Sequence, residues 1–151
     1  MEPPKELSQP KDKLILIADD DEPVREFLNT IVSNEGFRVV TAKDGPDALA
    51  KIEQNKPDLI ITDLMMPGQG GYEVLRQLQT PETRRIPIIV VTASRVNDST
   101  IQMIRSEANV IEFISKPIQI PVLVTALHHY LRTKPPELQK DKLFRLFRPN
   151  E

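Results

Sequence analysis

The sequence predicts an α/β fold in which helices cover a parallel sheet, and three observations carry that expectation. Short apolar runs rich in β-branched residues alternate five times with longer segments of helical period. The first run, Leu14 to Ala18, is apolar at consecutive positions rather than alternate ones, as a central strand buried on both faces requires. The chain has 151 residues, 39% hydrophobic and 28% charged, which suits one buried core and excludes wholesale disorder.

The first strand is expected at Leu14 to Ala18, stopping at Asp19. Pro23 can open a helix because its missing N–H would be unpaired there anyway. Val24, Phe27, Leu28 and Ile31 then recur at helical spacing up to Gly36. Strand two is Arg38 to Thr41, and Gly45-Pro46 begins a helix with Ala48, Leu49 and Ile52 inward. Pro57 leads into strand three, Leu59 to Thr62; Gly68, Gly70 and Gly71 then loosen the chain before a helix carrying Val74, Leu75 and Leu78. Pro87 precedes strand four, Ile88 to Val91, and a helix over about Asp98 to Asn109. Strand five is Val110 to Ser115. A last helix, Pro121 to Arg132, offers Val122, Leu123, Ala126, Leu127, Tyr130 and Leu131.

Six of the 14 prolines lie outside residues 13–133, so 1–12 reads as a flexible N-terminal tail and 134–151 as a C-terminal one. In the latter, Leu143, Phe144, Leu146 and Phe147 recur at roughly helical spacing among Lys140, Lys142, Arg145 and Arg148. Such a short amphipathic helix should order only by docking. Its own domain and a second copy or partner protein compete for it, so a homodimer is one reading. A membrane surface is the weakest of the three.

Composition removes several function classes. With no cysteine and two histidines, thiolate catalysis, disulfides and cysteine-ligated zinc are excluded, and carboxylates must carry any metal. Lys+Arg 20 against Asp+Glu 22 is too balanced for a general nucleic-acid binder. The N-terminus lacks a signal-peptide apolar stretch and no run has membrane-spanning length, which points to the cytoplasm.

In open α/β sheets ligands bind beyond the carboxyl ends of the strands. Those ends carry Asp19, Asp20, Asp21 and Glu22 after strand one, Asp63 after strand three, Thr92 after strand four, and Lys116-Pro117 after strand five. Each has a bland reading taken alone. The acidic run could favour a helix N-terminus, Asp63 could cap the segment after it, Thr92 could be a strand-end hydroxyl and Lys116 a solvated charge. Four such accidents on one edge are less probable than one shared site. Clustered carboxylates suit Mg²⁺, which takes oxygen ligands and is commonly held by one or two carboxylates with phosphate oxygens. A central carboxylate can attack phosphorus to give an aspartyl-phosphate, with Lys116 and Thr92 placed to meet the phosphoryl oxygens.

The segments Leu14–Arg25, Ile60–Gly68, Ile88–Ala93 and Phe113–Pro117 make the chain resemble a receiver domain of the two-component response regulators over residues 13–133. The resemblance implies a flavodoxin-like fold of strand order 2-1-3-4-5 with five helices. It implies that Asp63 accepts a phosphoryl group from a sensor histidine kinase or a histidine phosphotransfer protein. It further implies Mg²⁺ bound by Asp20, Asp63 and the main-chain carbonyl of Met65, with Asp19 assisting through water. Thr92 and Lys116 would contact the phosphoryl group, and Phe113 would occupy the aromatic switch position. Met65 and Ser94 match the positions that help position or obstruct the attacking water, and neither is a carboxamide or carboxylate suited to orienting it, so self-dephosphorylation should be slow.

Three departures stand out: Gly70 replaces a common acidic residue, Ser106 to Glu112 lacks the usual glycine-alanine turn and is about two residues longer than usual, and Phe113 replaces a tyrosine. Without a hydroxyl, Phe113 is expected to favour an inward ring. The 18 residues after 133 are too few for a DNA-binding or catalytic module. The sequence therefore points to a stand-alone phosphoacceptor signalling domain rather than an enzyme, able to label itself from small phosphodonors. Output would pass through the fourth helix, fifth strand and fifth helix, or through the tail, without direct nucleic-acid contact. The alternative is a receiver-like scaffold that acts without phosphorylation. An aspartyl phosphatase is disfavoured because the second acid it needs is replaced by Met65. His128 and His129 are expected to be structural rather than phosphoacceptors.

Overall fold

The computed structural model describes residues 7–66, 71–93, 97–107 and 109–136. Five strands, β1 (Leu14–Ala18), β2 (Arg38–Ala42), β3 (Leu59–Asp63), β4 (Ile88–Thr92) and β5 (Val110–Ser115), form one parallel sheet of order β2-β1-β3-β4-β5. The helices are α1 (Glu22–Asn34), α2 (Gly45–Asn55), α3 (Gly71–Gln77), α4 (Asp98–Arg105) and α5 (Ile120–Leu131).

Continuous apolar strands divide their side chains between two faces, because successive residues point in opposite directions. Ile15, Ile17, Leu59, Ile61, Ile89 and Val91 pack under α1 and α5 with Leu28, Val32, Leu123 and Leu127. Leu16, Ile60, Ile88 and Val90 pack on the other face with Ala48, Ile52, Val74, Leu75 and Ile104 from α2, α3 and α4. Burying each such side chain contributes about 1.5–3 kcal/mol, so the three inner strands are the rigid frame from which the loops project.

Several boundaries depart from the sequence expectation. The inner face of α1 is Leu28, Ile31 and Val32 with Val24 partly covered, while Phe27 stands on its flank, 44% exposed. On α5, Val122 and Tyr130 are exposed; the Tyr130 hydroxyl donates to the Ile111 carbonyl on edge strand β5 at 3.1 Å. The fourth helix ends at Arg105 instead of running on to Asn109. Asn109 is recruited to the sheet, where its side chain accepts from Gln79 and donates to the Ile86 carbonyl. The long connection into β5 is taken up by a bulge: Ile88 pairs with Val110 but Ile89 with Glu112, leaving Ile111 extra.

Residues 8–12 are not a free tail. Pro10–Asp12 form a 3₁₀ turn, Pro10 is buried, and Ser8 bridges Thr133, exchanging main-chain hydrogen bonds with Arg132 and Lys134. The close approach needs Gly36, whose φ of 96° is left-handed and whose missing Cβ would stand 3.2 Å from the Pro10 side chain. The C-terminal amphipathic segment, residues 137–151, lies outside the described residues, as do Gly68 and Gly70.

Candidate functional site

Four strand ends on one edge of the sheet build the site. Asp63 closes β3 and Thr92 closes β4, each one residue further into the sheet than the apolar runs suggest; Asp19 follows β1 and Lys116 follows β5. Asp19, Asp63 and Thr92 are buried and Asp20 is exposed. One carboxylate oxygen from each of Asp19, Asp20 and Asp63 lies within 4.8 Å of the others. Such convergence of like charge is unfavourable unless a cation answers it.

Lys116 supplies part of that answer. Its Nζ donates to Asp63 Oδ2 at 2.9 Å and to Asp19 Oδ2 at 3.1 Å, and its main-chain N–H donates to the Thr92 carbonyl at 2.8 Å. The Lys116–Pro117 peptide is cis. Burial acts to lower the Lys116 pKa, but the hydrogen bonds to Asp63 and Asp19 prevail and hold it above the ordinary lysine value. For Asp19 the balance falls the other way. Burial pushes its carboxyl above the usual carboxylate value, and the hydrogen bonds from the Asp21 N–H and from Lys116 offset only part of that.

Asp21 caps α1 through the Val24 N–H, and its own N–H donates to Asp19 Oδ1 at 2.9 Å. Arg25, one turn on, donates from Nη1 to the Asp19 carbonyl at 2.8 Å. The sequence reading does not single out Arg25. Its signal is a lone cation one helical turn beyond an acidic run. After β3, the Met65 N–H donates to Asp63 Oδ1 at 3.1 Å while the Met65 side chain is 73% exposed beside the acid. Ser94 lies outside the described residues.

Thr92 Oγ1 is buried with no hydrogen-bond partner, an unusual state for a buried hydroxyl. Phe113 lies half-buried against the core, and the Arg105 guanidinium sits 5.8 Å from its ring centroid. The ring is therefore packed rather than solvated.

Three carboxylates, an amine that balances one of them and an unpaired hydroxyl form a donor set for a hard cation together with an anionic oxygen ligand. The family described as response regulator receiver domain matches residues 15–128. The chain belongs to that family. The receiver is 38% identical over 121 residues to the response regulator PleD of Caulobacter vibrioides, covering 80% of this chain and 26% of PleD. It is 38% identical over 125 residues to the phosphate regulon transcriptional regulatory protein PhoB of Pseudomonas aeruginosa, covering 82% of this chain and 54% of PhoB. The chain thus spans about half or less of these two curated relatives. Among solved structures, the signal receiver domain of a histidine kinase from Syntrophus aciditrophicus matches with TM-score 0.70 and 31% identity, over 79% of this chain and 89% of that one. The chemotaxis response regulator CheY4 of Vibrio cholerae shares the fold at TM-score 0.70 and 24% identity, over 78% of the receiver and 97% of CheY4. Family membership places the receiver in two-component signalling, as a signalling domain rather than a conventional enzyme. Receiver domains generally bind Mg²⁺ at an acidic pocket, and the Asp19, Asp20 and Asp63 group is the matching cluster here. No helix among the described residues is long and apolar enough to cross a membrane.

Proposed function

We propose that the receiver is a phosphorylation switch whose acceptor is Asp63. The observation that supports this best is the pairing of a buried carboxylate, Asp63, with Lys116 at 2.9 Å beside the unpaired Thr92 hydroxyl. In the step itself, an Asp63 carboxylate oxygen forms a bond to phosphorus as the donor's N–P bond breaks, and that electron pair leaves on the donor imidazole nitrogen. Lys116 and Thr92 donate to phosphoryl oxygens. Asp19, Asp20, Asp63 and the main-chain carbonyl of Met65 would hold Mg²⁺, which neutralises charge on the phosphoryl oxygens when bound. Met65 and Ser94 stand at the sequence positions that tune attack by water in this family, and neither is a carboxamide or carboxylate suited to orienting it, so the acyl phosphate is long-lived.

The donor is a sensor histidine kinase or a histidine phosphotransfer protein, and small phosphodonors substitute for it. Output passes through protein contacts, by the face made of α4, β5 and α5 or by the C-terminal segment, with Thr92 and Phe113 moving together on phosphorylation. Acetyl phosphate with Mg²⁺ should add one phosphoryl group to the full chain, read by intact mass. The Asp63→Asn variant should stay folded and unlabelled. Labelling that persists in the variant overturns the acceptor assignment; a wild-type chain that takes no label from any donor favours the scaffold reading.

A further inference from the structure

Lys116 spans Asp19 and Asp63, so the place of Asp20 depends on the turn between β1 and α1. That turn is tied by three hydrogen bonds. The Asp21 N–H donates to Asp19 Oδ1 at 2.9 Å, the Arg25 N–H donates to the Asp21 carbonyl at 2.9 Å, and Arg25 Nη1 donates to the Asp19 carbonyl at 2.8 Å. Arg25 contributes two of the three, one from its backbone as α1 begins and one from its side chain. The side-chain bond reaches back across the very residues whose carboxylates converge. It fixes the carbonyl at the end of β1, whose own N–H is already held by Ala42 at 3.1 Å. Asp20 lies between two pinned residues.

We propose that Arg25 is a positioning residue for divalent-cation binding: its guanidinium holds the 19–21 turn in the shape that brings Asp19 and Asp20 to Asp63. The inference rests on reading those three acids as the Mg²⁺ site. Half-buried Arg25 is also a positive charge near a cationic ligand's place, and the two roles have opposite signs. Charge alone makes Arg25 weaken Mg²⁺ binding, so its removal should tighten binding. Positioning makes Arg25 strengthen binding, so its removal should loosen it. Groups that orient metal ligands from outside the coordination sphere commonly account for about 10–100-fold in affinity, enough to exceed a screened charge effect at the surface.

The test is calorimetric titration of MgCl₂ into the unphosphorylated full chain. Arg25→Met keeps the apolar stem and removes the donors, and it should raise the Mg²⁺ Kd about tenfold. Arg25→Lys keeps the charge but loses the planar fork, and should weaken binding less. Arg38→Met removes a guanidinium that donates to the Lys11 carbonyl at the opposite edge of the sheet, and should leave the Kd unchanged. An unchanged or lower Kd in Arg25→Met overturns the proposal, and so does an equal loss in Arg38→Met, which would mark general destabilisation. If Arg25→Met fails to fold, Arg25→Lys decides, and wild-type affinity there overturns the proposal. A wild-type chain that binds no Mg²⁺ would bring down the reading of the acidic site as well. Wild-type binding with Arg25→Met unaffected would remove this inference alone.

Discussion

Lys116 donates to Asp63 across 53 residues of sequence, and the same amine reaches Asp19 at 3.1 Å. One cation thus stands between two buried carboxylates, and the third acid, Asp20, is exposed to solvent. The arrangement leaves excess negative charge at the site, which disfavours the fold and favours a divalent ligand.

Asp19 should therefore limit stability. Its folded pKa lies above its unfolded value, so the native state holds the proton more tightly. This carboxyl favours the fold when protonated and costs stability as the pH rises from the unfolded value through the folded one. Asp19→Asn should raise Tm at pH 7. The gain should vanish below about pH 3.8, where both states carry the proton. The same variant should bind Mg²⁺ less tightly. A lower Tm at pH 7 would mean that pairing with Lys116 outweighs the cost of burial.

Thr92 offers a cleaner separation of stability from switching. Its Oγ1 is buried and unpaired, so replacing it with a methyl group removes an unsatisfied polar atom at nearly constant volume. Thr92→Val should leave the Tm of the unphosphorylated receiver unchanged or higher. Acetyl phosphate should still label Asp63, but the chemical-shift changes at Phe113 that accompany labelling of the wild type should be lost. A marked drop in Tm would show that the hydroxyl has a partner in the resting state.

Met65 tests the lifetime argument. Its side chain is exposed beside Asp63 while its N–H holds Asp63 Oδ1, so substitution changes the surroundings of the acid without disturbing that hydrogen bond. Met65→Asn introduces a group able to orient water, and the acyl phosphate should then decay severalfold faster, measured as loss of the phosphoryl mass with time. An unchanged or slower decay would contradict it.

The strands and the site were legible because both arise from local pattern. Continuous apolar runs mark β1, β3 and β4, and whatever polar residue ends such a run must stand at the sheet edge, which placed Asp19, Asp63, Thr92 and Lys116 together. Features set by long-range contact were not legible. Phe27 fits the helical period as well as Leu28 does, and only packing against the sheet distinguishes them. Asn109 continues a helical pattern locally but pairs with Gln79, 30 residues away. Arg25 bonds to a main-chain carbonyl, an acceptor every residue carries, so no residue type announces the contact. Residues 8–12 look like a proline-bearing tail until Gly36 and Thr133 are seen beneath them.

Another long-range contact is also a stability test. His128 on α5 is buried, with Nε2 2.8 Å from Glu35 Oε1 and Nδ1 2.7 Å from Thr133 Oγ1, and its ring lies 5.1 Å from that of Phe37. Glu35 comes just after α1 and is itself only 4% exposed, so removing the imidazole leaves a buried carboxylate without this partner. His128→Leu should cost about 3 kcal/mol, or roughly 6–12 °C in Tm. Adding Glu35→Met should recover much of that loss, because the stranded charge is gone. The cluster also ties Thr133 to the point where Ser8 pairs, so amide exchange at residues 8–12 should quicken in the single variant. Glu35 precedes β2 and so lies at the sheet edge opposite Asp63, and labelling by acetyl phosphate should proceed at the wild-type rate. If the double variant is no more stable than His128→Leu, packing by the imidazole ring rather than its pairing with Glu35 accounts for the loss.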